Sequence, residues 1–110
     1  MAPKKISVSG SPDFMKVYNS LDRKSDLWKS LEKAKDELKV NPTKGDKIEK
    51  RLWPEKYIKK YHINNLFRYP LVKGWRLTYT IIGDDNGVVT VLLDALDHTA
   101  YDRLFGYHTS

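Results

Sequence analysis

Apolar and polar positions alternate first in KKISVS, where Ile6 and Val8 stand between polar neighbours and predict a short opening strand. The period then changes. After GSPDF, the residues Phe14, Val17, Tyr18 and Leu21 recur at spacings of three and four, the signature of a short amphipathic helix. Ser11 is suited to its N-cap, Pro12 to its first position and Asp13 to the positive end of its dipole. A second helix, beginning near Asp22 or Ser25, carries Leu27, Leu31, Ala34 and Leu38 on one stripe with Trp28 beside it. Asn41-Pro42 and Gly45 end it. The two helices are adjacent and predict a helical hairpin.

A period of two returns at NNLFRYPLVKGWRLTYTII. Phe67 and Tyr69 are core-facing in one strand, VKG makes the turn, and Trp75, Leu77, Tyr79 and Ile81 are core-facing in the next. GDDNG is a hairpin-turn signal. VVTVLLDAL is apolar on both parities, as in a strand buried on both faces. DHTAYDRLFGYHTS predicts a short C-terminal helix starting near Asp97 or Thr99. Residues 46–62 read as a basic connection with room for a helical turn, because Pro54 argues against one continuous helix. The order β-α-α-β-β-β-α predicts an α+β fold, a small antiparallel sheet packed on an N-terminal helical hairpin, with residues 1–110 forming one domain.

Charge sharpens this picture. The net charge is +6, and residues 1–61 hold 16 Lys and Arg against 9 Asp and Glu, whereas residues 62–110 hold 4 against 5. The first half is therefore the expected docking surface for a polyanion, whose phosphates release counterions on contact. Lys-rich helices also serve solubility alone, and composition does not separate the two uses. There are no cysteines, hence no disulfides and no thiolate metal sites. Neither a long apolar run nor an apolar stretch of signal-peptide length is visible, so a cytoplasmic protein without membrane contact is expected.

Each strand of the first hairpin carries an arginine. Arg76 shares a face with Thr78 and Thr80, and Arg68 shares one with Asn64 and Leu66. Both point away from the apolar side if the strands pair, onto a face that the helical hairpin leaves open. Two guanidinium forks there would clamp a phosphate. The structural alternative pairs each with a carboxylate such as Asp94 or Asp97. His98 and Tyr101 follow the last strand, and His98 is the side chain able to exchange a proton near neutral pH. It suits a helix cap or a surface position equally, and Tyr101 suits packing against the hairpin helices. Tyr107 and His108 stand at the chain's end. His62, His98 and His108 lack a metal-ligand spacing, and no phosphate-binding glycine loop or nucleophile elbow is present. A metal-free, cofactor-free chemistry on phosphate is compatible with what remains.

With SPDFMKVYNSL and the helical hairpin ahead of it, the run NLFRYPLVKGWRLTYTI followed by GVVTVLLDALDHTAYDRLFGY resembles the RelE/ParE superfamily of type II toxin–antitoxin toxins across essentially the whole domain. The strand WRLTYTI and the ending DHTAYDR carry the likeness. The resemblance implies a ribosome-dependent mRNA endoribonuclease, in which a ribose 2′-OH attacks the adjacent phosphate without metal. By position Arg76 would hold the scissile phosphate and Arg68 would be a second phosphate ligand. His98 would act as acid or base, and Tyr101 would stack on a base or assist proton transfer. Lys44, Lys47, Lys50, Lys56, Lys59 and Lys60 would grip ribosomal RNA.

Other branches of the superfamily poison DNA gyrase, and a catalytically inactive RNA-binding domain is a third reading. In every toxin reading the partner is an antitoxin, expected to be acidic by charge complementarity. It would cover the arginine-lined face or displace the C-terminal helix. The assembly would be a homodimer or a toxin–antitoxin hetero-oligomer.

Overall fold

The computed structural model describes residues 5–106, so Tyr107 and His108 lie outside the described residues. Strand β1 (Lys5–Gly10) leads into helix α1 (Pro12–Ser20), then α2 (Asp26–Val40). A two-residue strand β2 (Asp46–Lys47), a 3-10 turn over Lys50–Leu52 and helix α3 (Glu55–Tyr61) come next. Strands β3 (Phe67–Pro70), β4 (Arg76–Asp84) and β5 (Gly87–Leu96) follow, and α4 (His98–Phe105) closes the described chain. The strands form one sheet in the order β1-β5-β4-β3-β2.

The fold is α+β, and the expected helical hairpin packs on the sheet, but the sheet is mixed rather than antiparallel. β1 runs parallel to β5, with Ile6 beside Val88 and Gly10 beside Leu92, while the other three pairings are antiparallel. Local alternation defines a strand but not its direction or partner. Here α1 and α2 lead from β1 to β2 at the opposite edge of the sheet, and the antiparallel run β2 to β5 brings the chain back beside β1.

Residues 46–62 also differ from expectation. β2 has poor strand formers, yet it is held by Gly45, whose amide donates to the Tyr79 hydroxyl at 3.0 Å, and by the Ile48 amide, which donates to the Leu66 carbonyl at 2.9 Å. Only glycine fits at position 45: a Cβ there would stand 2.5 Å from the Arg68 carbonyl oxygen and 2.7 Å from the Tyr79 hydroxyl. No continuous helix runs through Pro54, as expected. The proline precedes the first turn of α3, where its missing N–H is harmless.

Ser11 ties the hairpin to the sheet. Its hydroxyl accepts from the Phe14 amide at 3.0 Å as the N-cap of α1 and donates to the Leu93 carbonyl at 2.7 Å, while its amide donates to the Leu92 carbonyl at 2.8 Å. A Cβ on the preceding Gly10 would come within 2.8 Å of the Phe14 ring, so glycine lets α1 lie this close. Ser25 caps α2 through the Trp28 amide at 3.1 Å.

Two cores flank the sheet. On the hairpin side Phe14, Leu31, Ala34 and Leu38 pack on Phe67, Leu77, Tyr79, Leu92 and Ala95. On the other side Tyr57 of α3, Ile48, Leu66 and Leu93 form a second cluster, joined by Leu104 and Phe105 of α4. The second face is thus partly roofed by α3 and α4, which corrects the expectation of an open face. A bulge explains the double parity of β5. Thr78 pairs with Asp94 but Tyr79 pairs with Leu92, so Leu93 is extra. It places Leu93 and Asp94 together on the α3/α4 side. Ser11 satisfies the Leu93 carbonyl in this irregular stretch.

Candidate functional site

The arginines converge on α4. Asp97 caps that helix, its carboxylate accepting from the Ala100 amide at 2.8 Å, and the register of the helix then delivers Tyr101 to the sheet. Tyr101 is 2 % exposed and its ring stacks on Phe105 at 4.4 Å between centroids. Arg68 Nη1 donates to the Tyr101 hydroxyl at 3.0 Å. The Arg76 guanidinium lies 5.0 Å from the centre of the same ring, a cation–π contact, and its Nη1 donates to the Gly74 carbonyl at 2.9 Å. Arg68, Arg76 and Tyr101 therefore form one cluster on the face that strand parity predicts.

The carboxylates named as structural partners are engaged elsewhere: Asp97 with its own helix, Asp94 with the Tyr57 hydroxyl at 2.6 Å. Among the described residues, Asp46 is the acid within ion-pair distance of Arg68, at 4.0 Å and exposed. No carboxylate among the described residues lies within ion-pair distance of Arg76. Arg68, Arg76, Asp46 and Pro70 line a depression of about 210 Å³. A second depression of about 230 Å³ continues from Arg68 to Lys47 and Arg51. Among the described residues, two guanidinium groups and one exposed carboxylate line the first depression, and a planar guanidinium is suited to an oxyanion.

His98 is the first residue of α4 and exposed. Its Nε2 lies 3.0 Å from Asp102 Oδ2 one turn along, and it makes no hydrogen bond to either arginine or to Tyr101. The ring is accessible to a substrate, with its orientation set by Asp102.

The six lysines divide into two groups. Lys47 lies in β2 with Lys44 and Lys50 on either side of the strand, whereas Lys56, Lys59 and Lys60 lie on α3, and all are exposed. Lys60 and Lys56 stand 2.8 and 3.8 Å from Asp13, Lys59 stands 2.9 Å from Glu55, and Lys44 stands 3.8 Å from Glu37. The hydrogen bond from Lys60 holds the Asp13 carboxyl below its ordinary range. Lys47 and Lys50 have no such partner among the described residues. Exposed pairs of this kind are worth about 0–1 kcal/mol each, so a polyanion can displace them.

Sequence reasoning missed one polar network. Tyr57, fully buried, bridges Asp94 and the Thr78 hydroxyl, the latter at 2.7 Å. Burial pushes the Asp94 carboxyl up, against the lowering effect of the Tyr57 hydrogen bond, and burial beside Asp94 pushes the Tyr57 phenol up. The signal was present: Asp94 is a charged residue set inside the apolar run VLLDAL. Arg51 and Arg103, which line depressions on this side, carried no signal in the pattern.

Among the described residues no group of three or more His, Cys, Asp or Glu could hold a metal ion, and no helix is long and apolar enough to cross a membrane. No family model, curated protein or solved structure matches this chain.

Proposed function

We propose that this protein is the toxin of a type II toxin–antitoxin pair, of RelE/ParE type, and cleaves mRNA on the ribosome without metal. The convergence of Arg68 and Arg76 at Tyr101 carries the reading: two guanidinium groups from neighbouring strands share one depression, and an exposed histidine, His98, stands three residues before Tyr101 on α4. RNA cleavage by a neighbouring 2′-OH requires removal of one proton, stabilisation of charge on the phosphoryl oxygens, and protonation of the leaving 5′-oxygen. Arg76 and Arg68 serve the phosphate. His98 exchanges the proton, with Asp102 positioning its ring. Lys47 and Lys50, with the displaceable Lys44, Lys56, Lys59 and Lys60, bind ribosomal RNA backbone. An acidic antitoxin segment is the partner that neutralises this surface.

One observation favours a second reading. Tyr101 is buried and stacked on Phe105, so its ring is not presented to a base. A gyrase poison or an inactive RNA-binding domain would need that cluster only as a fastener for α4.

The test uses translating ribosomes and end-labelled mRNA. Fragments bearing 2′,3′-cyclic phosphate and 5′-hydroxyl ends, formed in the presence of chelator, are expected. Intact mRNA together with inhibited supercoiling in a parallel gyrase assay would replace this reading with the second.

A further inference from the structure

Beyond the arginine cluster, α3, α4 and the end of β5 border an open groove of about 380 Å³, lined by Lys56, Asp94, Leu96, Ala100, Arg103 and Leu104. Its size falls within the range of about 300–1,000 Å³ typical of small-ligand sites. Asp94 is 8 % exposed and contributes to the lining from β5. Its Oδ2 accepts the Tyr57 hydroxyl, whereas no donor among the described residues reaches Oδ1. Oδ1 is therefore an acceptor open to the groove, available to a donor that a ligand brings. Leu96, Ala100 and Leu104 offer apolar walls. Lys56 and Arg103 stand at the rim as cations, and Arg103 has no acidic partner among the described residues.

These features restrict the ligand. It must present hydrogen-bond donors to the floor, a flat apolar body to the walls and negative charge to the rim. A basic side chain of a protein partner satisfies the floor but is repelled by Lys56 and Arg103. Among nucleotides, guanine alone places two adjacent donors, N1–H and the 2-amino group, on its pairing edge, matching the parallel acceptors of a carboxylate. Adenine and cytosine set an acceptor beside their donor, and uracil flanks its single donor with two carbonyl oxygens. Each would turn a lone pair toward Asp94. The groove also adjoins the arginine cluster, because Leu96 in its wall is the register partner of Arg76.

We infer that the α3/α4 groove is a base-recognition pocket that selects guanine through Asp94, with Lys56 and Arg103 taking the nucleotide's phosphate. The inference rests on the reading of RNA as substrate and adds its base preference.

The test titrates the full-length protein with GMP, IMP, AMP, CMP and UMP by isothermal titration calorimetry. GMP should bind at least tenfold more tightly than AMP, CMP or UMP, and IMP, which lacks the 2-amino group, should fall between. Asp94→Asn keeps an acceptor for Tyr57 but turns a donor toward guanine, and should abolish the preference. Ala100→Trp fills the groove from α4 without altering Asp94 and should abolish binding. Equal affinity for the nucleotides, or a GMP preference that survives Asp94→Asn, would overturn the inference. Failure of the two readings is separable. GMP selectivity without mRNA cleavage would leave the pocket and remove the nuclease. Cleavage without a guanine at the cut site, together with unselective binding, would do the reverse.

Discussion

Arg76 lies over the ring of Tyr101, its guanidinium carbon 5.0 Å from the ring centroid, while Arg68 reaches the same residue through its hydroxyl. The contact joins β4 to α4 and fixes both arginines on the face away from the helical hairpin. One tyrosine thereby serves packing and the placement of charge together.

The two contributions of Tyr101 separate by substitution. Tyr101→Phe removes the acceptor for Arg68 and keeps the ring, and should lower stability by about 1 kcal/mol. Tyr101→Ala also removes the stack on Phe105 and should cost about 3–5 kcal/mol. Urea unfolding followed by tryptophan fluorescence checks both values. Equal losses would mean that the ring contributes nothing.

Asp94 predicts a pH dependence with a defined sign. Its folded-state pKa is raised by burial, so between the ordinary value of about 3.9 and the raised one the folded chain holds more protons than the unfolded chain. Stability from this group is complete below the ordinary value and falls as pH rises through the raised one. Asp94→Asn, which retains an acceptor for Tyr57, should therefore melt above the parent at pH 7, with the advantage vanishing on acidification below that window. Paired thermal melts from pH 3 to pH 8, a range of about 5 units around that window, read this directly. A variant less stable than the parent at pH 7 contradicts it.

Gly45→Ala forces a Cβ against the Arg68 carbonyl and the Tyr79 hydroxyl, one of them backbone. The change should destabilise by about 1–3 kcal/mol and loosen β2 against β3. Hydrogen exchange would show it as faster exchange of the Ile48 amide, which bonds to Leu66. An unchanged rate there would mean that β2 does not depend on this close approach.

His98 is exposed and its ring pairs with Asp102, so His98→Gln should change stability by less than about 0.5 kcal/mol. Under the proposed chemistry it should slow cleavage by about 10²–10⁴-fold while RNA affinity stays within a factor of two of the parent. Parallel single-turnover cleavage and filter-binding assays separate the two effects. Full activity would remove His98 from the reaction.

What was legible in the sequence was local. Ser11, Ser25 and Asp97 announce their helices because a cap acts within three residues. Parity placed Arg68 and Arg76 on one face because a strand alternates strictly. The stretch 46–62 was opaque because β2 is defined by Gly45 fitting under Tyr79, a contact 34 residues away. The parallel pairing of β1 with β5 was equally hidden, and the bulge at Leu93 showed only as apolar residues on both parities, which a strand buried on both faces also gives. The Tyr57–Asp94 bond, 37 residues apart, joins elements whose proximity only the folded sheet creates. The arginine cluster was half visible: its two cations could be read from the strands, but its centre, the buried Tyr101, required the docking of α4.

The central claim is that Arg76 holds a scissile phosphate, and the most direct measurement is a primer-extension map of mRNA in a translating extract. Cuts confined to translated codons are predicted with the parent protein, reduced about 10²–10³-fold with Arg76→Ala, whose fold should persist by circular dichroism. Cuts of undiminished strength from a folded Arg76→Ala variant, or none from the parent in an extract that is demonstrably translating, would contradict the account.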